Sequence, residues 1–255
     1  RCQSGARSVF RTGLLLTRPG AFMLNRCLML NCRQFPAGIG LIKAICLMAL
    51  GLSVVFAASE IDRMLLLAGQ RYGTSGGDAV MAWRDLLTRA ATQPDMAKLR
   101  QVNDFFNRRT RFGEDSDIWG APDYWATPLE TLGRAQGDCE DFAIAKYVTL
   151  KLLGIPSDKL RLTYVKARIG GPKSTLVQAH MVLGYYPAPS DEPLVLDNLI
   201  SDIRPASRRT DLTTIFGFNA DGIWVGGANT RASSASQRLS KWQSVLARMR
   251  EEGID

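Results

Sequence analysis

The feature that most constrains the fold is the segment from Cys139 to Leu153, which reads CEDFAIAKYVTLKLL. Its apolar residues occupy nearly every face of a helix, and a helix of that kind is stable only when it is buried. Gly137 and Asp138 form a turn and N-cap signal just before it, and a glycine and a proline follow it closely as a stop. The sequence therefore predicts a central buried helix with Cys139 in its first turn.

Helical periodicity predicts two helices before this segment, one over Asp78–Ala91 and one beginning at Pro94, and a final helix near the C-terminus. After the central helix the apolar period changes to two, which is typical of strands. Strands are predicted at Leu160–Ala167, His180–Tyr186, Leu194–Leu199 and Gly222–Val225. This order predicts an α+β domain in which N-terminal helices and the central helix pack on an antiparallel sheet.

The N-terminal segment has a different character from the rest of the chain. Residues 1–57 hold seven of the 32 basic residues and no acid, so this segment carries seven of the eight net positive charges and the remainder is nearly neutral. That distribution removes the main electrostatic argument for nucleic-acid binding. The run AICLMALGLSVVFAA at 44–58 follows basic residues and ends in small residues, as a secretory signal peptide does.

We therefore expect residues 1–57 to comprise misassigned upstream residues, because residue 1 is Arg and not Met, followed by a signal peptide. Residues 58–255 would then form a single domain. An uncleaved anchor helix is the alternative, but the apolar run is shorter than the ~20 residues that a span usually needs. Four of the five cysteines precede residue 58, so the exported chain would keep Cys139 as its one thiol.

Cys139 is the candidate nucleophile. Free backbone N–H groups and the helix dipole at the start of a helix favour a thiolate, and the same N–H groups can stabilise an oxyanion. One Cys and one His are the smallest set for thiol catalysis, and the chain has a single histidine, His180. A buried and inert cysteine is the alternative interpretation.

Asp197 is the candidate third member of a catalytic triad. If the two strands joined by residues 187–193 pair so that His180 lies opposite Asp197, their Cβ atoms come within ~4.5–5.5 Å of each other. A carboxylate at that distance can orient an imidazole. A histidine that merely satisfies its own hydrogen bonds in the core is the alternative.

Three acids surround the thiol: Asp138, Glu140 and Asp141. Their charges should raise the pKa of the thiol, which opposes catalysis. Clustered oxygen ligands suit Ca²⁺, and a bound dication would cancel that effect. Asp115 or Asp117 could add a ligand. The alternative is that the acids only complement the helix dipole.

A family resemblance rests on the segments GDCEDFAIAKYVTLKLLGIP, HMVLGYY and LVLDNL, together with RRTRFGEDSDIWGAPDYWATPLE before the cysteine. In combination and order, these resemble the bacterial transglutaminase-like cysteine proteinases, over roughly residues 91–224. The resemblance implies a papain-like, transglutaminase-type core with Cys139 as nucleophile, His180 as general base and acid, and Asp197 as its orienter. It also implies calcium dependence through Asp138, Glu140 and Asp141.

The resemblance further implies a biological setting. The family's members are periplasmic proteases that cut large surface adhesins near their N-termini. An inner-membrane receptor sequesters the protease when cyclic diguanylate is high, and released protease promotes biofilm dispersal. Two other functions stay open on the residues alone: acyl transfer by the same triad, as in a transglutaminase or amidase, and a non-catalytic calcium-binding module.

Overall fold

The computed structural model describes residues 38–225, 231–232 and 240–254. The chain divides into two units, Arg1–Met48 and Ala49–Asp255, and the sheet and all candidate site residues belong to the second. The expectation for residues 1–37 lies outside the described residues, and the boundary at residue 57 stays a prediction. Within the described residues, no helix combines the length and the hydropathy that a membrane span requires.

In the sequence, α-helices come both before and after the main run of strands. The α-helices are α1 Gly38–Ala90, α2 Asp95–Arg109, α3 Asp115–Ile118, α4 Pro128–Arg134, α5 Cys139–Leu152 and α6 Ser240–Glu252, with 3₁₀ turns at Ser157–Lys159 and Ala206–Arg208. Helix α1 starts far earlier than the predicted Asp78. It is interrupted at Gly73, whose positive φ of 68° is a conformation that glycine adopts without steric cost.

The strands form one large antiparallel sheet and one small parallel pair. They are β1 Arg111–Phe112, β2 Gln136–Gly137, β3 Leu160–Arg168, β4 Val177–Tyr185, β5 Leu194–Leu196, β6 Arg204–Pro205, β7 Leu212–Phe218, β8 Ile223–Val225 and β9 Arg231–Ala232. The large sheet has the order β6-β5-β4-β3-β7-β8-β9, and all its neighbouring strands are antiparallel. The α+β prediction is confirmed, although β6, β7 and β9 were not predicted.

Helix α5 lies at the centre of the core, as predicted. All residues from Asp141 to Leu150 are buried, because the helix packs against β3 and β4 as well as against α2 and α4. The indole Nε1 of Trp83 in α1 donates to Thr149 Oγ1 in α5 at 2.9 Å. Gly154, with φ of 83°, ends the helix at the predicted stop. Helix α5 is therefore held on all sides by the sheet and by the neighbouring helices.

Candidate active site and metal centre

Cys139 occupies the first turn of α5. Asp138 is the N-cap residue, and its Oδ1 accepts from the backbone N–H groups of Glu140 at 3.1 Å and Asp141 at 3.4 Å. The half-buried thiol faces a cleft of about 500 Å³ that His180 also lines. The predicted nucleophile and base thus share one cavity.

The thiol proton is engaged by a neighbouring acid. Cys139 Sγ donates to Glu140 Oε2 at 2.7 Å, and the hydroxyl of Tyr164 lies 3.4 Å from the other oxygen of the same carboxylate. Burial raises the pKa of the thiol, and the charge and hydrogen bond of Glu140 raise it further. A backbone hydrogen bond from Met181 acts in the opposite direction. The acids beside the cysteine therefore oppose the thiolate, as the sequence predicts.

His180 lies on β4 and is held by Asp197. The imidazole Nε2 lies 2.8 Å from Asp197 Oδ1, and both side chains are buried. A neutral imidazole carries one N–H, so a bond donated from Nε2 leaves Nδ1 as an acceptor. The structure thus brings together the base and orienter that the sequence predicts.

The register by which they meet differs from the predicted one. Strands β4 and β5 pair Leu183 with Leu196, so an extension of this register places Val182, and not His180, opposite Asp197. The predicted register is therefore wrong by two residues. Asp197 lies just past the end of β5 and reaches His180 diagonally, across the same face of the sheet, at a distance that a carboxylate can span.

Asp197 has further donors that fix its charge. The backbone N–H of Leu199 donates to Oδ1 at 3.0 Å, and Arg209 Nη2 donates to Oδ2 at 2.7 Å. Burial alone would raise the pKa of Asp197, but His180, Leu199 and Arg209 outweigh burial and hold the pKa at about 2. Asn107 of α2 also donates to the backbone carbonyl of Asp197 at 2.8 Å. Asp197 is therefore ionised and oriented at neutral pH.

Sequence reasoning missed Arg209. This arginine is 2% exposed, and it also pairs with Asp211 at 2.7 Å. It follows the 3₁₀ turn Ala206–Arg208, where no periodicity marks it as buried. A basic residue next to the exposed Arg208 offers no sequence signal that it reaches the candidate carboxylate Asp197.

A cluster of three carboxylates lies near the start of α5. Asp115, Asp138 and Asp141 each place an oxygen within 4.8 Å of the other two. Oδ1 of Asp115 and Oδ2 of Asp141 are buried and have no hydrogen-bond partner. Among the described residues, none of these three acids belongs to an ion pair. Such a group of buried, unpartnered oxygens is chemically suited to a hard cation.

The pKa values of two carboxyl groups in the cluster are raised above the usual range for aspartate. Burial raises the pKa of Asp138 to about 9, with the charges of Glu140 and Asp141 adding to the effect. Burial also raises the pKa of Asp141 to about 8, assisted by the charges of Asp115 and Glu140. The residues present therefore fit a bound dication, which would hold the carboxylates in their ionised form.

The structure revises the predicted ligand set. Asp138 and Asp141 belong to the cluster, and Asp115 joins them as the weaker sequence argument proposed. Glu140 does not belong to it, because its carboxylate contacts Cys139 and Tyr164 instead. The role of Glu140 as a metal ligand stays a prediction, and Asp117 is also outside the cluster.

Comparisons with known proteins identify the family of this chain. The family model of the bacterial transglutaminase-like cysteine proteinases matches residues 79–215. This chain belongs to that family. It is a cysteine protease with a transglutaminase-like fold, and the matched region contains the candidate catalytic and metal-binding residues.

Three solved structures carry the comparison further. The structure of Legionella pneumophila LapG is 42% identical with a TM-score of 0.62, and the match covers 74% of this chain and 97% of that one. A calcium-bound structure of the same protein is 44% identical, with a TM-score of 0.62 and coverages of 74% and 98%. An EGTA-treated structure of the same protein is 41% identical with a TM-score of 0.63, and the match covers 74% of this chain and 97% of that one. A search of curated proteins finds no match.

Proposed function

We propose that the protein is a calcium-dependent cysteine endopeptidase of the periplasm that cuts a large surface adhesin near its N-terminus. The observation that carries the catalytic part is the shared cleft, which is lined both by Cys139 at the start of α5 and by a histidine held by a buried carboxylate. The family membership supports proteolysis by this set of residues. The calcium-bound LapG structure supports the choice of metal.

The geometry supports a two-step reaction. The Cys139 sulfur attacks the peptide carbonyl carbon, a thioester forms, and the C–N bond breaks. His180 takes the thiol proton through Nδ1 and gives it to the departing amine. Water then loses a proton to His180 and adds to the thioester, which releases the new carboxyl group and returns a proton to the sulfur. Asp197 keeps the imidazole in the required tautomer throughout.

Asp115, Asp138 and Asp141 are the residues that would hold calcium. The ion would supply positive charge next to the first turn of α5, where Glu140 contacts the thiol and the three acids of the cluster lie close by. Ca²⁺ tolerates an irregular set of oxygen ligands, whereas Mg²⁺ requires near-octahedral geometry and keeps its water. This difference supports calcium as the metal.

The adhesin substrate, the periplasmic location and the control by an inner-membrane receptor for cyclic diguanylate are proposals that rest on the family resemblance. The signal-like run at residues 44–58 supports export. Receptor binding would keep the protease from its substrate when cyclic diguanylate is high, and release would promote detachment of the adhesin.

The direct test is incubation of the purified chain with the N-terminal region of a large adhesin from the same genome. We expect one cut in Ca²⁺, no cut in EGTA, and no cut by Cys139→Ala. Mass spectrometry of the products in the presence of a labelled primary amine separates the two enzyme classes, because hydrolysis leaves a free carboxyl group and acyl transfer leaves an amide. Cutting by the Cys139→Ala chain would refute the nucleophile assignment.

Calcium binding is tested separately by thermal unfolding of the Cys139→Ala chain in EGTA or in excess Ca²⁺. A ligand that binds only the folded state stabilises it, by about 2.7 kcal/mol when its concentration is a hundredfold above Kd. We expect the melting temperature to rise in Ca²⁺ and to rise less in Mg²⁺. Identical melting curves in EGTA and Ca²⁺ would refute the metal site without affecting the triad.

A further inference from the structure

A second cleft adjoins the catalytic one. Its volume is about 490 Å³, and it is lined by the end of β3, the turn that follows β3, and the segments around β6 and the 3₁₀ turn Ala206–Arg208. Ile169 and Leu199 line both this cleft and the catalytic cleft. The two clefts are therefore neighbours that share a wall, and a polypeptide lying across Cys139 can continue from one into the other.

The second cleft is positively charged. Three arginines line it, Arg168, Arg204 and Arg208, against a single acid, Asp211. Asp211 is already paired with the buried Arg209 at 2.7 Å, so it offsets little of the charge that faces the cleft. We call this cavity, defined by the three arginines, the arginine cleft.

The three guanidinium groups differ in how strongly they are held by hydrogen bonds and ion pairs within the protein. Arg168 donates to the backbone carbonyls of Pro172 at 2.9 Å and Thr210 at 3.2 Å, which fixes its position. Arg204 pairs with Asp202 at 2.8 Å, but that pair is exposed to solvent and therefore weak. Arg208 makes no hydrogen bond or ion pair within the described part of the chain, but its charge interacts with the exposed carboxylate of Glu192. Arg204 and Arg208 are thus held only by solvent-exposed acids, with which a ligand can compete.

The backbone shapes one wall of the cleft. Gly170 and Gly171 have φ values of 92° and 96°, which side-chain-bearing residues rarely adopt. They turn the chain between β3 and β4, and the carbonyl of Gly171 accepts from Ser174 N–H at 3.0 Å. The wall therefore depends on the glycine pair and is held close to Arg168.

We propose that the arginine cleft is a substrate subsite that binds an acidic side chain of the polypeptide on one side of the scissile bond. The inference rests on the proposed endopeptidase function and adds the chemical class of residue that the enzyme selects. Guanidinium groups bind carboxylates through paired, geometrically matched hydrogen bonds. The exposed Leu199, on the wall shared by the two clefts, offers an apolar contact to the intervening residue.

The size of the clefts places the acid within a few residues of the cut. A cavity of about 500 Å³ has a linear dimension of roughly 8 Å, which an extended chain at ~3.3 Å per residue crosses with two or three residues. An acidic side chain in the arginine cleft therefore belongs to a residue roughly two to five positions from the scissile bond.

The first test measures binding alone, on the full chain carrying Cys139→Ala. The probes are two fluorescein-labelled decapeptides, one of alternating Ala and Glu and the other of alternating Ala and Gln. Their binding is measured by fluorescence anisotropy. We expect the Glu peptide to bind roughly tenfold more tightly than the Gln peptide, and the preference to weaken as salt is raised. Arg204→Gln with Arg208→Gln should remove the preference. Arg89→Gln, an exposed arginine at the end of α1, is the matched control and should retain it.

The second test measures cleavage of a proteome-derived peptide library in Ca²⁺. We expect Asp and Glu to be enriched at one or more positions on a single side of the cut, and the Arg204→Gln, Arg208→Gln variant to lose that enrichment. Both arginines are exposed, so the fold should survive, and circular dichroism checks it.

The outcomes separate this inference from the proposed function. Cleavage without any preference for acids, or an unchanged preference in the double variant, overturns the subsite and leaves the protease intact. No cleavage of the library or of the adhesin, with an arginine-dependent preference for the Glu peptide, overturns the proposed function and keeps the acid-binding cleft. Equal affinity for the Glu and Gln peptides overturns the cleft by itself.

Discussion

Replacement of Arg209 by methionine tests the chain of contacts that holds Asp197 and, through it, the candidate base His180. Arg209 Nη2 donates at 2.7 Å both to Asp197 Oδ2 and to Asp211 Oδ2, and Nε donates to Asp211 Oδ1 at 3.0 Å. Arg209 and Asp197 are 2% and 1% exposed. Methionine keeps much of the length and the apolar packing of the side chain and removes all of these donors.

The expected loss of stability follows from the buried charge that remains. Removing one partner of a buried ion pair costs about 3–5 kcal/mol, because the other charge is left without compensation. Asp197 keeps the donors from His180 and from the backbone of Leu199, so we expect the lower end, about 3 kcal/mol. For a domain of this size that corresponds to a fall of roughly 6–12 °C in the melting temperature.

Activity should fall by more than the stability loss explains. Arg209 helps to lower the pKa of Asp197, so the variant holds the orienting carboxylate less firmly ionised and less firmly aimed. We expect kcat to fall at least roughly tenfold, the factor that 1.4 kcal/mol of lost transition-state stabilisation represents, with a smaller change in KM. The measurements are thermal unfolding and steady-state proteolysis at a temperature where both chains are fully folded.

A double-mutant cycle with Asp197→Asn supplies the control. Asn at position 197 carries no charge, so the loss of Arg209 leaves no unpaired carboxylate there. The double variant should therefore lose less stability than the sum of the two single losses, while its activity stays low. Arg209→Lys should recover part of the stability, because an ammonium group cannot reproduce the fork that reaches both carboxylates. A stability loss below about 1 kcal/mol, or strictly additive losses in the cycle, would refute the argument.

Three further predictions concern the base, the metal and a distant carboxyl group. Asp197→Asn should lower kcat by several powers of ten with the fold intact, because the amide can favour the wrong imidazole tautomer; near wild-type rates would exclude Asp197 as orienter. Asp115→Asn should reduce the Ca²⁺-induced rise in melting temperature more than Glu140→Gln does, and the reverse result would return Glu140 to the ligand set. Burial raises the pKa of Glu252 to about 7 from 4.5, so the folded state binds the extra proton and stability should fall as the pH rises from 4.5 to 7. Glu252→Gln should remove that fall, which is at most about 3 kcal/mol, and parallel stability curves for the two chains would contradict it.

The elements that the sequence predicts well are those with a strong local pattern. Helix α5 begins at Cys139 as predicted, because its cap and its all-round apolar character are both local signals. Strand β4 includes the predicted His180–Tyr185 portion for the same reason. Strand β7, by contrast, reads LTTIFGF and is exposed over much of its length, so no alternation of polar and apolar residues marks it.

The parts of the site that the sequence did not predict depend on contacts between distant segments. Strands β4 and β5 are separated by a long loop, so no tight turn fixes the register in which they pair. Arg209 reaches Asp197 from an irregular segment. Asp115, which the sequence offers only as an alternative to Asp117, reaches the start of α5 from a short helix of its own. Residue type and spacing identify chemical candidates, but only the tertiary fold decides which of them meet.

The order of residues at the start of α5 explains why the consecutive acids have different roles. Successive side chains on a helix point about 100° apart, so Glu140 and Asp141 are directed to different sides of α5. Asp138 is the N-cap residue with extended backbone, and its carboxylate bends over the first turn to accept from the N–H of Asp141. Asp138 and Asp141 thus meet in the cluster, which Asp115 completes from outside the helix. Glu140 is turned away from them and meets Tyr164 and the thiol. A thiol can therefore stand among three acids because only one of them contacts it directly, while the other two are directed toward a site suited to a cation.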